Sequence, residues 1–237
     1  MAAHDRPPGA GSATASLAGL RVLISAGPTY EDIDPVRFIG NRSSGKMGFS
    51  IAAAAARRGA DVVLVAGPVS LPSPEAVTRI NVRSAADMHA AVMAQLPADV
   101  YIGAAAVADF TPREASASKI KKRPGSDTLT LELVRTPDIL AEVAAHASQR
   151  PRLVVGFAAE TDNVEGYARG KLDNKRLDMI AANRVGVAGS GFECDDNALS
   201  VFWGDGERAL GPAAKTELAD LLLDLVLERL ADTTPAA

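Results

Sequence analysis

Three stretches of the chain concentrate residues able to handle phosphate and carboxylate chemistry. The first, Ser25 to Gly48, reads SAGPTYEDIDPVRFIGNRSSGKMG and sets Ser43, Ser44, Gly45 and Lys46 directly ahead of an alanine-rich helical segment. Free backbone N–H groups and the helix dipole favour a phosphate at such a point. The same Ser-Ser-Gly run serves equally as an ordinary helix cap, and local physics leaves both roles open. The spacing is not that of a Walker loop. It is not a dinucleotide fingerprint either: AGPTYED follows the first strand, and the second strand ends in Ala66-Gly67 where an acidic ribose ligand would stand. NAD is therefore disfavoured.

The second stretch is VYIGAAAVADF with the later KIKK. Ala104 to Ala106 let a ligand lie close to the backbone, and Asp109 brings a carboxylate to a strand end. Lys119, Lys121 and Lys122 concentrate positive charge, read either as a solvated basic loop or as a clamp on a polyanion. The third stretch, GFAAETDNVEGYARGKLDNK, has Phe157 at a strand end and Lys171 and Lys175 on one helix face. Phe157 is either core or a wall for a flat ring. Tyr167 and Lys171 also make the Y-x-x-x-K spacing of short-chain reductases, which would need a glycine-rich cofactor loop that this chain lacks.

The elements that must position these residues alternate between strand and helix. Aliphatic runs at Arg21 to Ser25, Val62 to Pro68, Ile80 to Val82, Val100 to Phe110, Leu153 to Glu160 and Asp178 to Asn183 read as strands. Helices are expected at Met47 to Arg58, from a Ser84 cap to Gln95, from Thr136-Pro137 to Ala147, at Val164 to Lys175, and at Lys215 to Leu230. LTLELV (Leu129 to Val134) alternates apolar and charged residues, as a half-exposed strand does, and NALSVFW-GDGE-RAL reads as a hairpin. The pattern implies an α/β fold: a Rossmann-like, doubly wound, mostly parallel sheet with helices on both faces. The polar loops all follow strands, where such sheets bind ligands.

With 237 residues, 47% hydrophobic and 23% charged, the chain suits one well-cored domain, here expected over 18–237 after a Pro/Gly/Ser-rich lead-in or linker over 1–17. A formal net charge of −4 gives no reason to expect a nucleic acid. No apolar run suits a membrane span or signal peptide, so a cytoplasmic location is expected. His4, His89 and His146 lack metal-ligand spacing, so no metal held by protein ligands is expected. Cys194, the single cysteine, reads as a packing residue because nothing beside it would lower its pKa.

GPTYEDIDPVRFIGNRSSGKMG, AAAVADF, KIKK, TPDILAEVA, VVGFAAET and the DNALSVFW hairpin occur in this order between Leu20 and about Leu230. Together they resemble bacterial phosphopantothenoylcysteine synthetase. The resemblance implies a ligase of coenzyme A biosynthesis that joins 4′-phosphopantothenate to L-cysteine. The acid first attacks the α-phosphate of CTP to give an acyl-cytidylate and pyrophosphate; the cysteine amine then displaces CMP. It also implies magnesium with the triphosphate, and CTP rather than ATP, a choice the residues alone leave open.

By the same resemblance Asn41 holds the acyl-cytidylate, its amide donating to the acyl oxygen, and Lys119 is the essential lysine. Gly27, Ser43, Gly45 and Gly48 lie near the nucleotide phosphates. Asp109, Pro137, Asp138, Ile139, Leu140, Phe157, Lys171 and Lys175 belong to the CTP-binding set. Ala105 and Ala106 line the pantothenate side, and Arg37 reaches the substrate phosphate across a dimer interface. The family implies a homodimer with composite sites, with LTLELV in a small dimerisation extension, and commonly a fused flavin-dependent decarboxylase. The remaining alternative class is a non-catalytic nucleotide-binding domain, which would have lost groups such as Asn41 and Lys119.

Overall fold

The structure is a computed structural model describing residues 15–122, 127–160, 162–184 and 196–232. In chain order the elements are β1 (Arg21–Ala26), β2 (Tyr30–Asp34), β3 (Arg37–Gly40), α1 (Lys46–Arg57), β4 (Asp61–Ala66), β5 (Val77–Asn81), α2 (Ala85–Ala94), β6 (Val100–Gly103) and β7 (Phe110–Pro112). They continue with β8 (Leu133–Arg135), α3 (Ile139–Ala144), β9 (Leu153–Glu160), α4 (Val164–Asn174), β10 (Met179–Arg184), β11 (Asp196–Trp203), β12 (Gly206–Ala214) and α5 (Lys215–Asp232).

The central sheet has the order β12-β11-β10-β9-β6-β1-β4-β5. From β5 to β10 every pairing is parallel, and the β11–β12 hairpin adds two antiparallel strands at one edge. Aliphatic runs form these strands because both faces are covered. Val22, Ile24 and Ala26 of β1 pack with α1 and α5, whereas Leu23 packs with residues of α2, α3 and α4. The doubly wound sheet expected from the sequence is present, and all its parallel strands end on one side.

Several local expectations differ from the structure. The long loop after β1 contains the β2–β3 hairpin, because the Asp34 carboxylate accepts the N–H groups of Val36 and Arg37 at 2.9 and 3.0 Å and closes the turn. The strand expected over Val100 to Phe110 breaks after Gly103, so the alanine run becomes a loop. LTLELV is not one strand: only Leu133 to Arg135 pairs, with β7, outside the main sheet. Helix α3 starts at Ile139, two residues after Pro137, because the Asp138 side chain accepts the Ala141 N–H at 3.1 Å and caps it. The expected lead-in boundary shifts, since Leu17 is fully buried in the core. The rest of that lead-in up to residue 14, and Cys194, lie outside the described residues.

The two helices of one face are locked by Arg58, just past the end of α1. Its side chain is 3% exposed and bonds Asp220 and Asp224 of α5, at 3.0 and 2.6 Å. The carboxylates keep access to water, so removing the guanidinium costs lost packing and pairing rather than a stranded charge. Arg58→Ala is expected to lower stability by roughly 2–3 kcal/mol, read as a shift of the urea midpoint. A shift under a few tenths of a kcal/mol would show that the α1–α5 contact stands on its leucines alone.

Candidate active site

At the carboxyl edge of the parallel strands the loops after β1 and β6 zip together. Ala106 N–H donates to the Gly27 carbonyl at 2.9 Å, Thr29 N–H donates to the Ala106 carbonyl at 3.3 Å, and the buried Thr29 hydroxyl oxygen accepts the Ala108 N–H at 2.9 Å. The Thr136 hydroxyl donates to the Ala108 carbonyl at 2.6 Å. These bonds floor a cavity of about 940 Å³ that crosses the sheet edge from the start of α1 and α5 to the start of α3 and one face of α4.

Among the described residues six cationic side chains line the cavity (Arg42, Lys46, Arg135, Lys171, Lys175 and Lys215), against two acidic ones, Asp109 and Asp138. Such an imbalance attracts a polyanion. At the α1 end, Gly45 holds a left-handed φ of +75° that only glycine adopts without strain. It turns Ser43 and Ser44 toward the first turn of α1, where no acidic residue offsets the dipole. Their hydroxyls reach the Gly45 and Lys46 N–H groups only at 3.4 and 3.5 Å, leaving those donors weakly satisfied. At the other end the lysines are already paired: Lys171 with Glu160 at 2.7 Å and Lys175 with Asp138 at 2.8 Å. At the α1 end the helix N-terminus adds its own pull on phosphate.

Of the residues singled out from the sequence, Asn41, Ser43, Gly45, Gly48, Ala105, Ala106, Asp109, Pro137 to Leu140, Phe157, Lys171 and Lys175 all line this cavity. Phe157 both packs on the core and forms cavity wall, so the two roles left open for it coexist. The Asn41 amide nitrogen donates to the carbonyls of Val107 at 3.0 Å and Ala106 at 3.3 Å, which pins the loop bearing Asn41 to the cavity floor.

Gly27, Arg37 and Lys119 do not line it. Gly27 lies behind the floor, where its carbonyl serves the loop zipper. Arg37 forms a short ion pair with Asp34, and the two grip the Lys119 loop: Ile120 N–H donates to Asp34 at 3.1 Å, and Arg37 donates to the Ile120 carbonyl at 3.0 Å. Lys119 is exposed beside this hairpin. Tyr167 is 51% exposed and away from the cavity, so Tyr167 and Lys171 do not converge on it as a reductase pair would.

The lining residues missed from the sequence include five buried ones with polar side-chain atoms: Ser25, Tyr101, Asn183, Asn197 and Lys215. Asn183 is the penultimate residue of β10, and its side chain lines the cavity without a hydrogen-bond partner among the described residues. The signal was an amide near the end of an otherwise apolar strand. Among the described residues no cluster of three or more His, Cys, Asp or Glu is arranged to hold a metal, and no helix is long and apolar enough to cross a membrane.

The Arg37 guanidinium holds the Asp34 carboxyl well below the usual carboxylate range, and the N–H groups of Ile120, Val36 and Arg37 add to the effect. With the folded pKa depressed, this carboxylate contributes its stabilisation in full above about pH 5 and loses it as pH falls through and below the ordinary value near 4. Protection of the Ile120 amide against hydrogen exchange, corrected for intrinsic rate, is expected to be flat from pH 5 to 8 and to fall in stronger acid. In Asp34→Ala it should be lost at neutral pH. Protection retained in that variant would mean that something else holds the Lys119 loop.

Comparison with known proteins shows the family and the fold. The family described as DNA/pantothenate metabolism flavoprotein C-terminal domain matches residues 17–230. The coenzyme A biosynthesis bifunctional protein CoaBC of Vibrio cholerae is 54% identical over 215 residues, covering 90% of this chain and 54% of that protein. The chain thus spans about half the length of such relatives. A crystal structure of the C-terminal domain of a CoaBC protein matches with TM-score 0.77 and 41% identity, covering 91% of this chain and 98% of that one. A Cab2 variant solved in complex with phosphopantothenate-cysteine has TM-score 0.73 at 17% identity, covering 90% and 87%, and shares the fold. This chain belongs to the family of DNA/pantothenate metabolism flavoprotein C-terminal domains.

Proposed function

We propose that the chain is a CTP-dependent phosphopantothenate–cysteine ligase domain. The observation that carries this reading is the cavity itself: six cations against two acids among the described residues, at the carboxyl edge of the sheet, within a member of this family. That charge balance suits a nucleoside triphosphate together with a phosphorylated acid. The CoaBC relatives are named for coenzyme A biosynthesis, and the Cab2 structure holds the product of such a ligation.

In the first step a carboxylate oxygen of 4′-phosphopantothenate attacks the α-phosphorus, and the bond to pyrophosphate breaks. The first turn of α1, with Ser43, Gly45 and Lys46, suits the triphosphate, whose developing negative charge preorganised donors stabilise. In the second step the cysteine amine attacks the acyl carbon, CMP leaves, and the nitrogen gives up a proton. Asn41, on a loop fixed to the floor at Ala106 and Val107, is suited to hold the acyl-cytidylate between the steps. Only two carboxylates line the cavity among the described residues, so magnesium would be held chiefly by phosphate oxygens, with Asp109 a protein carboxylate that could join them.

Arg37 and Lys119 are proposed to complete a neighbouring protomer's site. What supports a homodimer is apolar exposure: Val36, Phe38, Phe110 and Leu133 of the two small hairpins are 60, 45, 46 and 41% exposed. The domain reading is a ligase unit beginning at about residue 17, in a larger cytoplasmic protein that carries a flavin-dependent decarboxylase, as the bifunctional relatives suggest.

The test is pyrophosphate release with 4′-phosphopantothenate and magnesium, using CTP or ATP, with and without L-cysteine. Release with CTP, and amide product only when cysteine is added, is expected. No release from a folded sample with either nucleotide would overturn the reading. Lys119→Gln is expected to slow release about a hundredfold or more, as loss of a preorganised charge does. Near-normal turnover would remove Lys119 from the mechanism.

A further inference from the structure

Two hydroxyl groups lie under the α3–α4 end of the cavity, and neither belongs to the set considered so far for nucleotide binding. Ser25 is the penultimate residue of β1, and Tyr101 lies in the neighbouring β6. Their oxygens are 3.0 Å apart, and the residues are 2% and 1% exposed. Two hydroxyls carry two protons. One lies between the two oxygens; the other has no acceptor among the described residues. Buried hydroxyl groups normally complete their hydrogen bonds, so this spare donor calls for a partner.

The geometry shows where that partner would come from. Gly103, two residues beyond Tyr101, has no side chain over the phenol: a Cβ there would sit 3.6 Å from the Tyr101 hydroxyl oxygen and 3.0 Å from Leu140. The glycine thus leaves the hydroxyl open to the cavity, which both residues line. Burial, opposed by the Ser25 hydrogen bond and reinforced by the charge of Asp138, pushes the phenol up to about 12, so it keeps its proton at any working pH.

Asp138 and Lys175 share this end of the cavity, Lys175 Nζ lying 3.0 and 2.8 Å from the two carboxylate oxygens. An ammonium has three N–H donors, so at least one stays available beyond that pair. All three groups line the cavity: Asp138 supplies an acceptor, Lys175 a donor and Tyr101 a second donor. A 4-amino-2-oxopyrimidine presents the complement: amine donor, ring-nitrogen acceptor, carbonyl acceptor. Adenine matches the first two but has a C–H at the third position. Uracil and guanine reverse the first two and set an acceptor oxygen against the Asp138 carboxylate.

We propose that the Tyr101 hydroxyl, oriented by a hydrogen bond from Ser25, is the specificity-determining group that donates to the 2-carbonyl of a cytosine ring and so separates CTP from ATP. The Asp138–Lys175 pair then disfavours UTP and GTP. The inference rests on the reading above that this cavity binds a nucleoside triphosphate.

The experiment measures Kd by calorimetry and kcat/KM by pyrophosphate release for CTP, ATP, UTP and GTP, on the wild-type chain, Tyr101→Phe, Ser25→Ala and Asp138→Asn. The wild type is expected to prefer CTP, then ATP, with UTP and GTP last. Tyr101→Phe should lower the CTP-to-ATP ratio about tenfold, the scale of one uncharged hydrogen bond. Ser25→Ala should lower it less, because the phenol survives without its orienting partner. Asp138→Asn keeps an oxygen to cap α3 and turns the other edge into a donor, so it should raise UTP relative to CTP. Each ratio is taken within one preparation, so loss of folded protein cancels. A CTP-to-ATP ratio unchanged in Tyr101→Phe overturns the proposal while leaving the ligase reading intact. A wild type that prefers ATP or UTP overturns it too. Binding and release with none of the four nucleotides would overturn the ligase reading and this inference with it.

Discussion

The constraint on which the site depends is the hydrogen-bonded closure of two loops at the carboxyl edge of the sheet. Parallel strands deliver their ends to one side with the backbone groups of the following loops unpaired. Here the Gly27–Thr29 loop and the Ala104–Ala108 loop satisfy one another, and Thr29, Asn41 and Thr136 take up part of what is left. A buried polar group without a partner costs on the order of 1–3 kcal/mol, so this mutual pairing fixes the floor as firmly as a strand ladder would. Several of the cavity's walls are hung from that floor: Asn41 by its amide, the α1 entry loop behind it, and α3 through Thr136.

Charge is distributed along the cavity in a way that separates two tasks. At the α1 and α5 end, weakly satisfied N–H groups and buried amides are held in place before a ligand arrives, so little reorganisation is needed to receive phosphate. At the α3–α4 end the lysines already carry carboxylate partners, which lowers the pull on phosphate and leaves directional donors and acceptors instead. A nucleotide laid across the edge thus meets charge at one end and hydrogen-bond pattern at the other. The Lys119 loop stands apart from both, held by the Asp34–Arg37 pair on a hairpin that exposes apolar side chains.

Much of this was legible in the chain. Aliphatic strands alternating with helical segments announced the doubly wound sheet, because only burial on both faces tolerates such runs. The motifs around Asn41, Ala105, Asp109, Asp138 and Lys175 announced the cavity wall, since each follows a strand or opens a helix. The β2–β3 hairpin was not legible: YEDID carries three acids, RFIG is only four residues long, and Asp34, the residue that closes their turn, looks like any loop acid. LTLELV misled for the opposite reason. Its alternation is real, yet β7 supplies only three residues to pair with.

Sequence by itself determined the family, the sheet, and the residue types available to hold phosphate, because these follow from local periodicity and from motifs that keep their order. Tertiary structure alone decided which of those residues share a cavity. Tyr101 and Ser25 lie 76 positions apart and meet only because β1 and β6 are neighbours in the sheet. Lys119 and Arg37, conspicuous in the chain, are carried to a separate hairpin. Hydrogen bonds between distant segments depend on strand order and loop closure, and no one-dimensional pattern encodes those directly.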